Sequence, residues 1–210
     1  MDLTAGLDWG AVAGLAGTAL LIELTPGPNM AYLAVVAATD GRRVGYAAVA
    51  GVALGLALVG LAAALGLAAA IQASPVLYQV LRWGGVAYLL WLAWDGWRGA
   101  NDASEFAPQG SSLRRFFGRG LVTNLLNPKA AVFYVSMLPG FVTPGAPVLP
   151  QTLALSATFV LVASGVHLSI VTLAGAAQRL LADPARERVI RRALSLALVA
   201  VAGWFAWGTG

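Results

Sequence analysis

Apolar residues in this chain fall into long runs divided by short polar clusters. No charged residue occurs between Val44 and Leu81, and from Ala130 to Gln178 only His167 interrupts an otherwise uncharged run. A third run extends from Ala193 to the C-terminus. A membrane-spanning helix needs about 20 predominantly apolar residues. Cutting the runs at proline, glycine and charge clusters predicts six spans, at 9–39, 46–72, 76–97, 120–142, 149–177 and 189–208. Asp40-Gly41-Arg42-Arg43 is a polar turn. Ser74-Pro75 stops one helix and starts the next, with proline in a first turn where its missing N–H is harmless. Residues 98–119 read as one long hydrophilic loop. Pro139-Gly140 and Thr143-Pro144-Gly145 close the fourth span, and Asp183-Pro184 lies in the basic connector before the sixth.

Composition agrees with this pattern. Apolar residues reach 59% and charged residues fall to 10%, so the 22 charged side chains cannot cover a soluble globule of 210 residues. The same figures exclude a disordered chain. Cysteine is absent, which removes disulfides, thiolate metal sites and cysteine nucleophiles. One histidine cannot build a histidine-based metal cluster. The basic pI of about 10 comes from scarce acids at a net charge of only +4, so it does not point to nucleic acid. The acidic N-terminus (Asp2, Asp8) and the length of its apolar stretch argue against a cleavable signal peptide.

Charge placement carries topology. The connectors after spans one, three and five hold 11 of the 13 Lys and Arg residues; the other two are Arg82 and Lys129. Cationic loops stay cytoplasmic, so both termini are expected outside. Trp9, Trp94, Trp97, Trp204 and Trp207 fall near the expected interfaces, which suit indole. Trp91, Trp94 and Trp97 read as one interfacial belt, and Arg82 as a side chain that snorkels to the surface. Arg114, Arg115 and Arg119 set topology and could also hold anionic headgroups.

The first span is too long, about 31 residues, and contains Thr25-Pro26-Gly27-Pro28 near its middle. Two prolines remove two N–H donors and clash with the preceding turn. The fourth span contains Asn127-Pro128-Lys129. The first helix of each three-span half is therefore broken. Three is odd, so the second half enters from the opposite side. Paired interruptions of this kind mark an inverted repeat with its site at the interface.

Each break offers a half-helix N-terminus near mid-membrane, with unpaired N–H groups and about half a positive charge. Two such ends suit a carboxylate. Lys129 would add a full positive charge, and Glu23, one turn before the first break, the opposite charge. A ligand carrying both an ammonium and a carboxylate matches that pair. Each charge costs about 2.5–3.5 kcal/mol or more at a helix centre. They either handle substrate or protons, or form a salt bridge that only locks the halves. The breaks themselves could be simple kinks. Asn29, Asn124 and Asn127 flank the breaks, where a cap is the simplest role for each. His167 reads first as a packing residue, with a proton relay as its alternative. Gly6, Gly10 and Gly14, and Gly51 with Gly55, stand at small-xxx-small spacing, which recurs by chance in a chain with 25 glycines.

Pro26-Gly27-Pro28-Asn29, Gly41-Arg42-Arg43-Val44-Gly45, and Gly51 with Gly55 resemble the signature of the LysE/RhtB amino-acid exporters. Asn124 through Asn127-Pro128-Lys129-Ala130, and on to Pro139-Gly140-Phe141-Val142, is similar as well. The resemblance covers essentially the whole chain. Gly140 departs from it, since many members have Gln before Phe-Val. The resemblance implies an inner-membrane exporter of amino acids or close derivatives, driven by proton antiport, and leaves the amino acid open.

The expected fold is all-α: a polytopic membrane protein of six transmembrane helices in two inverted three-helix repeats, the first and fourth broken by proline. One transporter domain covers 1–210, with repeat one about 1–98, a cytoplasmic loop about 99–119 and repeat two about 120–210. The expected activity is secondary active export by alternating access, with an ion or proton exchanger or a small-solute channel on the same fold as the alternative. The expected substrate and proton site is Glu23, Pro26, Gly27, Pro28, Asn29, Asn124, Asn127, Pro128 and Lys129. No enzyme activity, metal or cofactor is expected. Expected partners are an amino-acid substrate, the lipid bilayer and, as an option, a second copy in a homodimer, with no nucleic acid. The expected location is the bacterial inner membrane.

Overall fold

Proline chemistry places the helix ends. The computed structural model describes residues 8–24, 27–66, 75–99 and 109–177, with isolated helical positions between 189 and 207. The first apolar run forms two helices, α1 (Trp9–Leu24) and α2 (Pro28–Thr39), whose axes meet at 61°. Pro28 is the first residue of α2, where its fixed φ suits a helix start. Gly41, at φ 95°, makes the tight link to α3 (Arg42–Ala64). Here the expected second span shifts towards the N-terminus, from 46–72 to Arg42–Ala64. Gly66, at φ 89°, turns the chain just past its end, a conformation that glycine takes without Cβ strain. The rest of that expected span, residues 67–72, lies outside the described residues.

The following helix is α4 (Pro75–Gly99), as the Ser74-Pro75 stop predicts. Next come α5 (Gln109–Leu125), α6 (Pro128–Val132), a π-helical turn over Phe133–Met137, a 3-10 turn over Leu138–Phe141, and α7 (Val148–Ala177). Two helices are long and apolar enough to cross a membrane, Arg42–Ala64 and Val148–Ala176, and the bent α1–α2 pair counts as a third. At 25 residues α4 has the length to span. The expected sixth span, 189–208, lies largely outside the described residues. Among the described residues there is no strand.

One boundary is corrected. The stretch expected as loop up to residue 119 is helical from Gln109. Charge suggested a loop, but Arg114 and Arg115 lie on the exposed side while Phe116, Gly120, Thr123 and Asn124 are buried. That spacing is one face of a helix, and burial of this face outweighs the polar residues around it.

The core lies where α3 packs against α5 and α7, with α1 and α2 closing over α7. Gly51 decides the α3–α5 approach, because a Cβ there would fall on the Phe117 carbonyl, and one at Gly120 would fall on that of Ala48. The two backbones meet with no side chain between them, as small residues allow in lipid. Phe133 stacks on Phe159 at 3.8 Å between ring centroids, and Tyr134 Oη donates to Leu56 O at 3.0 Å. These contacts fasten the second broken helix to α7 and α3. On the outside, Leu161 and Leu173 are each 73% exposed, which suits an apolar solvent.

Candidate functional site

The two breaks meet. Glu23, on the last turn of α1, and Lys129, on the first turn of α6, lie 3.9 Å apart (Oε1 to Nζ). Gly27, Asn29, Met30 and Asn127 complete a cavity of about 10 Å³ between them. That is room for about one water, far below the ~300–1,000 Å³ of ligand pockets. This conformation is therefore closed around its polar groups.

The two half-helix starts differ. At α6 the Asn127 side chain accepts the Lys129 N–H at 3.1 Å, and its carbonyl accepts from Ala130 at 3.1 Å. That start is capped by its own chain, the role expected of an asparagine. Gly27 caps α2 without any side-chain bond. Asn29 and Met30, whose N–H groups belong to that first turn, both line the cavity. The anion-attracting end is therefore α2, reinforced by the ammonium of Lys129.

His167 joins this site. Its Nε2 lies 3.1 Å from Glu23 Oε2, and its side chain is 1% exposed. Neither ring nitrogen has a hydrogen-bond partner among the described residues, so proximity rather than an aligned bond holds the pair. Glu23 is thus held between an ammonium and an imidazole on two other helices. Sequence reasoning kept His167 outside the site, with packing as its first reading. The available signal was the isolation of one ionisable ring in an otherwise uncharged apolar run, where such a group is costly.

The remaining predicted residues divide. Glu23, Gly27, Asn29, Asn127 and Lys129 line the cavity. Asn124 does not; it is 0% exposed and accepts from Asn29 Nδ2 at 2.8 Å. Its side chain lies under Gly55, where an added Cβ would come 2.8 Å from Asn124 Nδ2. Asn29 Oδ1 and Asn124 Nδ2 have no partner among the described residues. Asn124 therefore backs the site and orients Asn29. Pro28 and Pro128 begin the half-helices. Pro26 lies outside the described residues. Among the described residues no cluster of three or more His, Asp or Glu could hold a metal ion.

A break at Gly27-Pro28 thus meets a second break at Asn127-Pro128-Lys129 through the contact of Glu23 with Lys129. The chain matches the model of the LysE type translocator family over residues 20–208. It belongs to that family. This LysE-family chain is 32% identical over 178 residues to the homoserine/homoserine lactone efflux protein of Salmonella typhi, covering 84% of this chain and 86% of that one. It is 34% identical over 172 residues to the leucine efflux protein of Enterobacter sp. strain 638, covering 80% and 79%. No solved structure matches it. Family and apolar helices together make it a membrane-embedded translocator.

Proposed function

We propose that this translocator exports a neutral amino acid across the bacterial cytoplasmic membrane in exchange for protons, by alternating access. The observation that carries this reading is the meeting of Glu23 and Lys129 at 3.9 Å between two broken helices. A zwitterion replaces that contact with two of its own. Its ammonium takes Glu23. Its carboxylate takes Lys129 and the uncapped start of α2, where N–H groups and the helix dipole favour an anion. The two side-chain charges cancel, and among the lining residues no second carboxylate waits for a cationic side chain. That balance favours neutral over basic amino acids. The relatives named for homoserine and leucine efflux agree with this choice.

The closed cavity fits the reading. Since about 10 Å³ cannot hold an amino acid, the polar groups must part on one side before substrate enters. The breaks provide hinges, and each half moves with its own broken helix. The reading takes the chain as a single domain of two inverted three-helix repeats, about 1–98 and 120–210, with both termini outside the cell.

The test is transport by the purified protein in liposomes loaded with labelled L-leucine, L-homoserine or L-lysine. Saturable counterflow of a neutral amino acid, poor movement of lysine, and faster efflux into an acidic exterior are expected. Flux without saturation or counterflow would point to a channel instead, and absence of amino-acid movement would reject export.

A further inference from the structure

We propose that His167 is the proton carrier of this exchange, holding the proton on Nδ1 while Nε2 faces Glu23. The inference rests on the antiport reading above and adds a residue to it. The first observation is burial: His167 is 1% exposed inside a helix long and apolar enough to cross a membrane, where an ionisable group is costly. The second is freedom. Nδ1 has no hydrogen-bond partner among the described residues, while Nε2 faces the Glu23 carboxylate. The third is position, with Nε2 3.1 Å from the carboxylate that would take the substrate ammonium.

These three facts make proton and substrate compete. With a proton on both ring nitrogens, His167 is a cation and Glu23 has a positive partner in place. When a substrate ammonium reaches Glu23 from the cytoplasm, two positive groups face one carboxylate. The imidazolium then releases its Nδ1 proton to cytoplasmic water and stays neutral while substrate moves out. Outside, release of substrate takes its ammonium away from Glu23, the carboxylate again accommodates an imidazolium beside it, and Nδ1 takes a proton from external water. One proton enters for each substrate that leaves. The returning form carries one more positive charge than the loaded form, so an inside-negative potential also drives export.

The surrounding groups leave this exchange to Glu23 and Lys129. From α1 comes Glu23, and from α6 comes Lys129. The one titratable side chain of α2 is the buried phenol Tyr32. Those of α3 are Arg42, Arg43 and Tyr46, all in its first turns. Arg42 Nε donates to Thr172 O at 3.0 Å, and Tyr46 Oη meets Thr172 Oγ1 at 3.0 Å, more than one turn along α7 from His167. In the π-helical turn, Tyr134 donates to Leu56. The 3-10 turn has no titratable side chain.

The chain contains one histidine, so imidazole nitrogen magnetic resonance of the full-length wild type reads this residue alone. At each pH, saturating L-leucine or L-homoserine, whichever shows counterflow, is expected to lower the imidazolium fraction. A fraction that ignores substrate overturns the inference. In liposomes, His167→Gln is expected to lose the acceleration of efflux by an acidic exterior, measured relative to its own counterflow. Persistence of that acceleration overturns the inference while leaving antiport intact. A wild type that exchanges amino acids without responding to a pH gradient rejects antiport itself, and the inference with it. If the variant does not fold, the wild-type resonance experiment decides.

Discussion

Glu23 has two partners, and they are not equivalent. Lys129 Nζ lies 3.9 Å from Oε1 with 18% of its side chain exposed, whereas His167 Nε2 lies 3.1 Å from Oε2 and is buried. Breaking a buried ion pair by removing one member costs about 3–5 kcal/mol, because the other charge remains unpaired. Lys129→Met is expected below that range, since His167 can still supply Glu23 with a positive partner. In Glu23→Gln, Lys129 loses its counter-charge, but its partial exposure permits some relief. Both single variants are expected to lose export. The double variant Glu23→Gln/Lys129→Met is expected to unfold at a temperature closer to wild type and still not export. Thermal unfolding in detergent and efflux from liposomes check the three together. A double variant that regains both stability and transport would show a structural bridge and no substrate role.

Helix contacts turn on a few glycines rather than on glycine content. Gly51 faces the backbone of α5, and Gly55 covers Asn124. Gly118, on α5 itself, has nothing within 4 Å of an added Cβ. Ala at Gly51 must push the two helices apart, an overpacking cost of about 1–3 kcal/mol or more. Ala at Gly118 meets no neighbour and is expected to stabilise by about 0.5–1 kcal/mol, because glycine in a helix interior loses more backbone freedom on folding. A lower unfolding temperature for Gly51→Ala than for Gly118→Ala is the expected order. Equal temperatures would mean that α3 and α5 approach less closely. Spacing alone could not separate these positions. Gly10 and Gly14 share the small-xxx-small interval, yet an added Cβ at Gly10 meets only its own Asp8, and one at Gly14 meets the ring of Phe141.

At the scale of the whole molecule, three arginines meet tryptophans on the second half of α4. Arg119 lies 5.1 Å from the Trp91 ring centroid, Arg98 5.7 Å from that of Trp94, and Arg192 5.3 Å from that of Trp97. Arg42, at the start of α3, reaches Thr172 near the end of α7. A flat guanidinium over an indole is attracted by the ring's negative face. Trp91, Trp94 and Trp97 thus each lie beside an arginine. If these arginines are cytoplasmic, reporter fusions after residue 108 read cytoplasmic, and fusions at residue 145 and at the C-terminus read external. Residue 108 and the C-terminus on the same side of the membrane would remove the odd-span inverted repeat.

The sequence by itself determined which residues stand at the breaks and to which family the chain belongs. Proline removes an N–H and clashes with the turn before it, wherever the helix sits, so Pro28 and Pro128 could be read one residue at a time. Apolar run length fixed the long helices for an equally local reason, the thickness of hydrocarbon. The tertiary structure alone decided what lies across a gap. Glu23, Lys129 and His167 come from three helices far apart in the chain, and their meeting depends on how each helix is rotated about its axis. That rotation follows from packing, including the contact of Gly51 with α5 and the stacking of Phe133 on Phe159. For the same reason α5 begins at Gln109 inside a charged stretch, and Asn124 turns away from the cavity to hold Asn29. Neither can be read from one helix, because the free energy that selects each face is gained only when a second helix buries it.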